Sequence, residues 1–218
     1  MKKSFLNCIA FIFGEMEVCI WGGGSTEKDA KEMKDVREKI LLATIQAFNE
    51  KGMKFTMDDL AGILSMSKKT IYTYFSDKNS LLLDMVDYVF DTIKSSEQAI
   101  VDDDSLTTVQ KIRAVLGVMP DGYKEIDFRQ LYMLKDKYPD IYTKVEKRLE
   151  SGWETTIGLL EQGISEGVIK PVNLTIFKMM MEASLEQFFQ RDVLVRAGMT
   201  YSQGLEEVVK ILIEGVLS

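Results

Sequence analysis

Histidine is absent from this sequence of 218 residues, and cysteine and proline are scarce, with two and three residues. Without histidine, the chain lacks the commonest general base and the commonest metal ligand of proteins. Cys8 and Cys19 are the only thiols, and two ligands cannot complete a four-coordinate zinc site. The sequence also shows no nucleophile–base pair and no phosphate-binding loop. It therefore predicts no catalytic residue, no metal site and no cofactor, and an enzyme is the least supported class of function.

Acidic residues outnumber basic ones, giving a net charge of −7 at pH 7. The excess is uneven, because residues 34–80 hold eight Lys/Arg against six Asp/Glu. The residues after position 80 carry a net charge of −8. A mildly basic segment is thus joined to an acidic body. An acidic body repels nucleic acid, so DNA binding by the basic segment would be oriented and sensitive to salt.

Apolar residues recur at helical spacing along most of the chain, without a strand pattern or an internal repeat. The predicted helices span residues 35–51, 56–64, 67–75, 81–95, 106–119, 126–135, 139–166, 173–190 and 201–217. We expect Asp35 to cap the first helix and Gly52 to end it. The sequence therefore predicts an all-α fold.

Two short helices separated by a tight turn are predicted between residues 56 and 75. Thr56 and Asp59 have the spacing of a capping box, in which each side chain accepts a hydrogen bond from the other's backbone. Ser65 lies in the predicted turn, and Ser67 can cap the second helix. These local signals predict a helix-turn-helix.

The second of these helices has two chemically different faces. At 100° per residue, Ile71, Tyr74 and Phe75 share an apolar side. The opposite side carries two cations, a phenol and a hydroxyl, at Lys68, Lys69, Tyr72 and Thr73. Cations suit phosphates, and short polar groups with a methyl suit base edges in a major groove. The two lysines alone would be typical of a solvated face, so the whole pattern carries the interpretation.

A further helix is predicted to follow, with Ser76 as its cap and Lys78 in its first turn. A cation in the first turn opposes the helix dipole. A DNA phosphate near this helix start would explain the lysine.

This segment resembles the helix-turn-helix of the TetR family of bacterial transcriptional regulators. The resemblance covers residues 36–82 and rests on Thr56, Leu60, Ala61, the run Ser67 to Phe75, Lys78 and Leu81. The family usually has Ala-Gly-Val in the turn, where this chain has Leu64, Ser65 and Met66. Glycine adopts left-handed backbone angles more freely than serine, so the turn is the one departure from the family pattern.

The resemblance implies an N-terminal three-helix DNA-binding domain at residues 34–82 and a C-terminal helical ligand-binding and dimerisation domain at residues 83–218. It implies phosphate contacts by Thr56, Tyr72, Tyr74 and Lys78. The residues nearest to the bases would be Lys68, Lys69, Thr70 and Thr73. For Tyr74, packing in the core is an equally good interpretation.

Residues 1–33 fit neither domain. Lys2 and Lys3 followed by the apolar run 5–13 resemble the start of a signal peptide, but no clean cleavage site follows. The run is too short to cross a bilayer. We interpret residues 1–33 as a disordered extension or the product of a mis-assigned start, with Met33 as a natural first residue. A membrane tether is the weaker alternative.

The last two predicted helices are apolar over more than one stripe, so each requires two packing partners. The resemblance implies a homodimer through these helices that reads a palindromic operator. A single larger core is the alternative. Methionine and aromatic residues can also line a pocket for a small apolar or amphipathic effector, although at helical spacing such residues are more often plain core. The candidate pocket residues are Phe128, Tyr132, Trp153, Phe177, Met180 and Met181.

Two classes of function therefore remain. The first is a cytoplasmic, ligand-responsive DNA-binding regulator, most simply a repressor, with no membrane partner. The second is a helical adaptor that keeps the fold but binds protein. Substitution of Lys68 and Lys69 separates the two, because these lysines should matter for DNA and little for an adaptor.

Overall fold

A computed structural model describes residues 27–119, 134–191 and 193–218. The chain divides into two compact units, residues 1–35 and residues 36–218, and the described part of the first unit is helical. The helices are α1 (Glu27–Lys51), α2 (Met57–Leu64), α3 (Lys68–Tyr74), α4 (Lys78–Val101), α5 (Thr108–Leu116), α6 (Leu134–Lys137), α7 (Pro139–Glu150), α8 (Glu154–Ser165), α9 (Leu174–Gln190), α10 (Val193–Arg196) and α11 (Tyr201–Val216).

The fold is all-α, as predicted. A short 3-10 helix, Gly52–Lys54, follows α1. Within the described ranges, the only β pairing is an isolated bridge between Ile169 and Leu217. The same ranges contain no helix that is both long and apolar enough to span a membrane.

The second unit contains two clusters of buried apolar side chains. The first joins α1 to α4 and also includes Ile141 and Val145 of α7. The second joins α5, α8, α9 and α11, and includes Ile169. Helix α7 therefore packs its apolar side against the N-terminal helices, although it lies far along the sequence. The predicted domain boundary at residue 82 falls inside α4, which is continuous from one cluster to the other.

Ion pairs and hydrogen bonds also connect α7 to α4. The carboxylate of Asp87 pairs with Lys144, and the carboxylate of Asp91 accepts a 2.6 Å hydrogen bond from Arg148. At the start of α4, the amide of Asn79 donates to Asp140 Oδ2 at 2.6 Å. These pairs fix the orientation of α4 against the body of the protein.

Several predicted helix boundaries are wrong. The first helix does not begin at Asp35 but at Glu27, because the residues before Asp35 are rich in Glu, Lys and Ala, which favour helix. Gly52 does end that helix, with a φ of 57°. Helix α4 runs six residues past the predicted end at Ser95, and α5 is shorter than predicted, with Thr107 as its cap.

The single long helix predicted for residues 139–166 is broken in two. Gly152 has a φ of 76°, in the left-handed region, and separates α7 from α8. Its carbonyl oxygen accepts a 2.5 Å hydrogen bond from Lys94 of α4. The predicted cap Asn173 is confirmed, since its side chain accepts from the backbone of Ile176. The predicted helix 126–135 lies almost entirely outside the described residues.

Candidate nucleic-acid interface

Helix α2 begins with the capping box that the sequence predicts. The backbone N–H of Asp59 donates to Thr56 Oγ1 at 3.2 Å, and the backbone N–H of Thr56 donates to Asp59 Oδ2 at 2.8 Å. The hydroxyl of Thr56 also donates to the same carboxylate oxygen at 3.0 Å. Thr56 is exposed, so its position at the start of α2 is both fixed and accessible.

The turn between α2 and α3 adopts the left-handed geometry for which the family uses glycine. Ser65 has φ 52° and ψ 38°, and it is the only non-glycine residue with positive φ among the described residues. The N–H of Met66 donates to Ala61 O at 3.1 Å, and the N–H of Ser65 donates to Gly62 O at 3.3 Å. These two bonds form a Schellman motif, which satisfies the last carbonyls of α2. Serine therefore preserves the turn at a conformational cost.

Helix α3 is capped and oriented as predicted. Ser67 Oγ accepts a 3.0 Å hydrogen bond from the backbone N–H of Thr70. Ile71 and Phe75 are fully buried in the first core, and Tyr74 packs partly against it. The inner side of this short helix thus fixes the direction of its outer side.

The outer side of α3 is accessible and polar. The exposed residues are Lys68, Lys69, Thr70, Tyr72 and Thr73, with 43% of the Tyr72 surface exposed. Thr73 Oγ1 donates to Thr70 O at 2.6 Å, so its lone pairs remain available to accept. The side chain of Lys69 makes no hydrogen bond or ion pair with any residue that the structure describes. This face offers donors, acceptors and methyl groups to a ligand.

The two acids at the start of α2 are both paired with lysines. Lys68 Nζ contacts Asp58 Oδ2 at 2.8 Å, and this hydrogen bond raises the pKa of the lysine. Lys51 Nζ donates to Asp59 Oδ1 at 2.7 Å, and this bond together with the cap lowers the pKa of Asp59 to about 2. The pairs reduce the repulsion that two carboxylates would exert on a phosphate backbone. The sequence did not reveal these pairs, because the partners lie eight and ten residues apart in different elements.

Lys78 is directed at the protein itself. Its Nζ donates to Met53 O at 2.9 Å and to Phe55 O at 2.5 Å, and it lies 3.9 Å from the centroid of the Phe55 ring. Burial lowers the pKa of this amine. The ammonium therefore holds the segment between α1 and α2 in place, and its third hydrogen remains for another acceptor.

The predicted cap at Ser76 is wrong, and Asp77 takes this position. The side chain of Asp77 accepts from the backbone of Ser80, whose hydroxyl accepts in turn from the backbone of Asp77. This capping box lowers the pKa of Asp77. A carboxylate at the start of α4 complements the helix dipole, so the lysine in the first turn is not left unopposed.

Arg37 is a positioning residue that sequence reasoning missed. Its Nη1 donates to Tyr74 O at 3.1 Å, and its guanidinium lies 4.5 Å from the centroid of the Phe75 ring. It also pairs with Asp84 of α4. One side chain of α1 thus fixes the end of α3 and the start of α4. A lone arginine in an amphipathic helix gives no sequence signal of this role.

This geometry agrees with a match to a known sequence family. Residues 40–85 match the family model described as bacterial regulatory proteins, tetR family. Residues 40–85 are therefore a helix-turn-helix segment of the TetR-family type. The match ends in α4 and so covers the DNA-binding helices alone.

One curated protein and two solved structures extend the likeness over most of the chain. An uncharacterized HTH-type transcriptional regulator, YvaF of Bacillus subtilis (strain 168), is 27% identical over 179 residues, covering 82% of this chain and 94% of the relative. A TetR transcription regulator from Haloarcula marismortui has 17% identity and a TM-score of 0.66, covering 85% of this chain and all of that one. A TetR transcriptional regulator from Chloroflexus aurantiacus has 19% identity and a TM-score of 0.63, with 86% and 100% covered. The two structures show the fold alone.

Outside the matched segment, the chain contains a cavity of about 120 Å³. It lies among α4, α5, α7, α8, α9 and α11, and of the predicted pocket residues Trp153 and Met181 line it. Phe177 is buried in the second core and does not line it. Met180 is 52% exposed on the outer side of α9, so it does not line the cavity either. Phe128 and Tyr132 lie outside the described residues.

Proposed function

We propose that this TetR-family regulator is a repressor that binds a palindromic operator as a homodimer and releases it on binding a small effector. The observation that carries the proposal is the outer face of α3, which presents Lys68, Lys69, Tyr72 and two threonines. The buried side chains of Ile71 and Phe75 hold this face in place from behind. The family consists of DNA-binding regulators rather than enzymes. Regulation of bacterial transcription would place the protein in the cytoplasm.

The proposed contacts follow the position of each side chain. Lys68, Lys69, Thr70 and Thr73 lie nearest to the base edges in the major groove. Thr56, Tyr72, Tyr74 and the remaining hydrogen of Lys78 contact phosphates. To reach the base edges, Lys68 must break its ion pair with Asp58. This costs little free energy, because the pair is exposed. Phosphate contacts fix the register, and the base contacts select the sequence.

The dimer is supported by an apolar surface that one copy leaves exposed. Ile176, Met179 and Met180 lie three and four residues apart on α9, and each is at least half exposed. Ile211 of α11 is 67% exposed, the largest exposure of any large apolar residue among those described. A helix with apolar side chains on both its inner and its outer sides needs a second partner. A second copy packed on α9 and α11 would place two α3 helices around a two-fold axis.

The experiment compares two charge-matched double variants in equilibrium binding to operator DNA by fluorescence anisotropy. Lys68→Ala with Lys69→Ala removes both lysines of α3, so a dimer loses four lysines. We expect affinity to fall by roughly 100-fold or more, since each lost DNA contact costs on the order of 1 kcal/mol. Lys147→Ala with Lys170→Ala removes two exposed cations elsewhere and should leave affinity within about threefold. Equal effects of the two pairs would favour the adaptor alternative.

A further inference from the structure

A buried carboxylate lies on the wall of the cavity. Glu97 of α4 is the only acidic residue in the buried class among the described residues. Both of its oxygens accept from Lys94 Nζ, at 2.7 Å and 3.0 Å, and the same ammonium donates to Gly152 O at 2.5 Å. All three hydrogens of the lysine are therefore used, whereas each oxygen of Glu97 keeps a free lone pair.

The two partners differ in their access to solvent. The side chain of Glu97 is 10% exposed, whereas that of Lys94 is 38% exposed. If the pair separates, Lys94 can turn towards water at small cost, but Glu97 remains buried and needs another positive partner. An anionic ligand that bound Lys94 would leave the carboxylate uncompensated. A cationic ligand would replace the lysine at the carboxylate and leave no buried charge without a partner.

The surrounding charges agree with a cationic ligand. Arg148 also lines the cavity, but its guanidinium is held by Asp87 and Asp91. Once Lys94 has moved away, Glu97 is therefore the charged residue of the cavity lining that has no partner of opposite charge. Phe90 and Trp153 line the same wall, and each ring already has a cation near it: Arg148 lies 5.3 Å from the Phe90 centroid and Lys178 lies 5.8 Å from the Trp153 centroid.

We propose that the effector site accepts a small apolar cation, such as a protonated amine, whose charged group replaces the Lys94 ammonium at Glu97. The inference rests on the proposed function in treating the ligand of this cavity as the effector. A cavity of about 120 Å³ is comparable to the roughly 150 Å³ that holds benzene in an engineered protein, so the apolar part is about the size of one ring.

Replacement of Lys94 by the ligand also affects the break between α7 and α8. When Lys94 leaves Glu97, it also releases the carbonyl of Gly152, which adopts a φ of 76° in that break. Lys94 lies on α4, the helix that begins beside α3. The ligand thus removes a contact between α4 and the α7–α8 junction, and this contact exists only in the unliganded state.

The test uses three small molecules that share a ring and differ in one polar group: benzylammonium, benzyl alcohol and benzoate. Trp153 lines the cavity, and the full-length Trp21→Phe chain leaves it as the single tryptophan, so its fluorescence reports binding. We expect benzylammonium to bind at least about tenfold more tightly than benzyl alcohol, and benzoate to bind most weakly. Equal binding of the three, tighter binding of benzoate, or no binding by any would overturn the proposal.

Two variants assign the preference to the ion pair. Glu97→Gln keeps the shape of the side chain and should lower the affinity for benzylammonium about tenfold, while the affinity for benzyl alcohol stays within about twofold. Lys94→Met removes the competing ammonium and should raise the affinity for benzylammonium. An ammonium preference that survives in Glu97→Gln would overturn the assignment. Thermal unfolding of each variant, measured without ligand, identifies any that fails to fold.

Failure of this inference can be distinguished from failure of the proposed function. Operator binding is measured without ligand, and the ligand series is measured without DNA. A chain that binds operator but prefers benzoate keeps the proposed function and loses the inference. A chain that prefers benzylammonium but binds no operator keeps the site and loses the regulator role.

Discussion

Replacing Lys78 by methionine tests whether this lysine holds the DNA-binding domain together. The ammonium donates to two backbone carbonyls, Met53 O at 2.9 Å and Phe55 O at 2.5 Å, and lies against the Phe55 ring, which is 1% exposed. Methionine keeps most of the apolar stem but removes the charge and both hydrogen bonds. The change therefore isolates the polar contribution of the side chain.

The expected loss follows from the two hydrogen bonds. Each bond to a charged donor contributes about 1.5–3 kcal/mol, and recovery of the solvation of the partly buried amine offsets part of the sum. We expect the free energy of unfolding to fall by about 2 kcal/mol. For a chain of this length, that corresponds to a melting temperature lower by roughly 4–8 °C.

The assay is urea unfolding without DNA, followed by circular dichroism at a helical wavelength. Lys69→Met is the matched control, because Lys69 is exposed on α3 and its side chain bonds to none of the described residues. The control should change stability by less than about 0.5 kcal/mol. If the Lys78 and Lys69 variants unfold at the same urea concentration, the structural role assigned to Lys78 is refuted.

Three further predictions concern the helix-turn-helix. Ser65→Gly should raise the free energy of unfolding by about 0.5 kcal/mol in urea titrations. Relief of the left-handed backbone strain should exceed the cost of the larger unfolded-state entropy of glycine. A loss of stability would contradict the assigned backbone angles. Asp58→Asn should tighten DNA binding about two- to fivefold in anisotropy at low salt, since it frees Lys68 and removes a charge near phosphates; weaker binding would show that the acid orients the lysine. Asp59 has a folded pKa lowered from 3.8 to about 2, so its stabilisation is present above pH 4 and is lost as pH falls towards 2. Melting temperatures of wild type and Asp59→Asn should therefore converge across that range, and a constant difference would refute the role of the Lys51 bond.

The helix-turn-helix could be predicted because its determinants are local. The capping box joins residues three positions apart, and the cap of α3 likewise joins Ser67 to Thr70. The inner side of α3 follows from helical periodicity alone, since Ile71 and Phe75 lie four residues apart. Local signals of this kind specify the element, its start and the direction of its faces.

Features that depend on distant partners could not be predicted. Lys78 finds its two carbonyls 25 and 23 residues earlier in the chain. The Asp87–Lys144 and Asp91–Arg148 pairs each span 57 residues, and so no helical repeat reveals them. The break at Gly152 was also missed, because a glycine within an otherwise helical pattern can be tolerated. In this chain, the left-handed φ of Gly152 and the hydrogen bond from Lys94 to its carbonyl oxygen accompany the break in the helix.

Selection of bound duplexes from a random-sequence DNA pool by the purified full-length protein tests the central claim most directly. Two α3 helices related by a two-fold axis predict enrichment of one inverted-repeat motif. Binding to this motif should weaken steeply between about 50 and 200 mM salt and should persist in excess random DNA. Failure to enrich any motif over the starting pool would contradict the assignment of a sequence-specific regulator. Enrichment of a single asymmetric half-site would contradict the dimer.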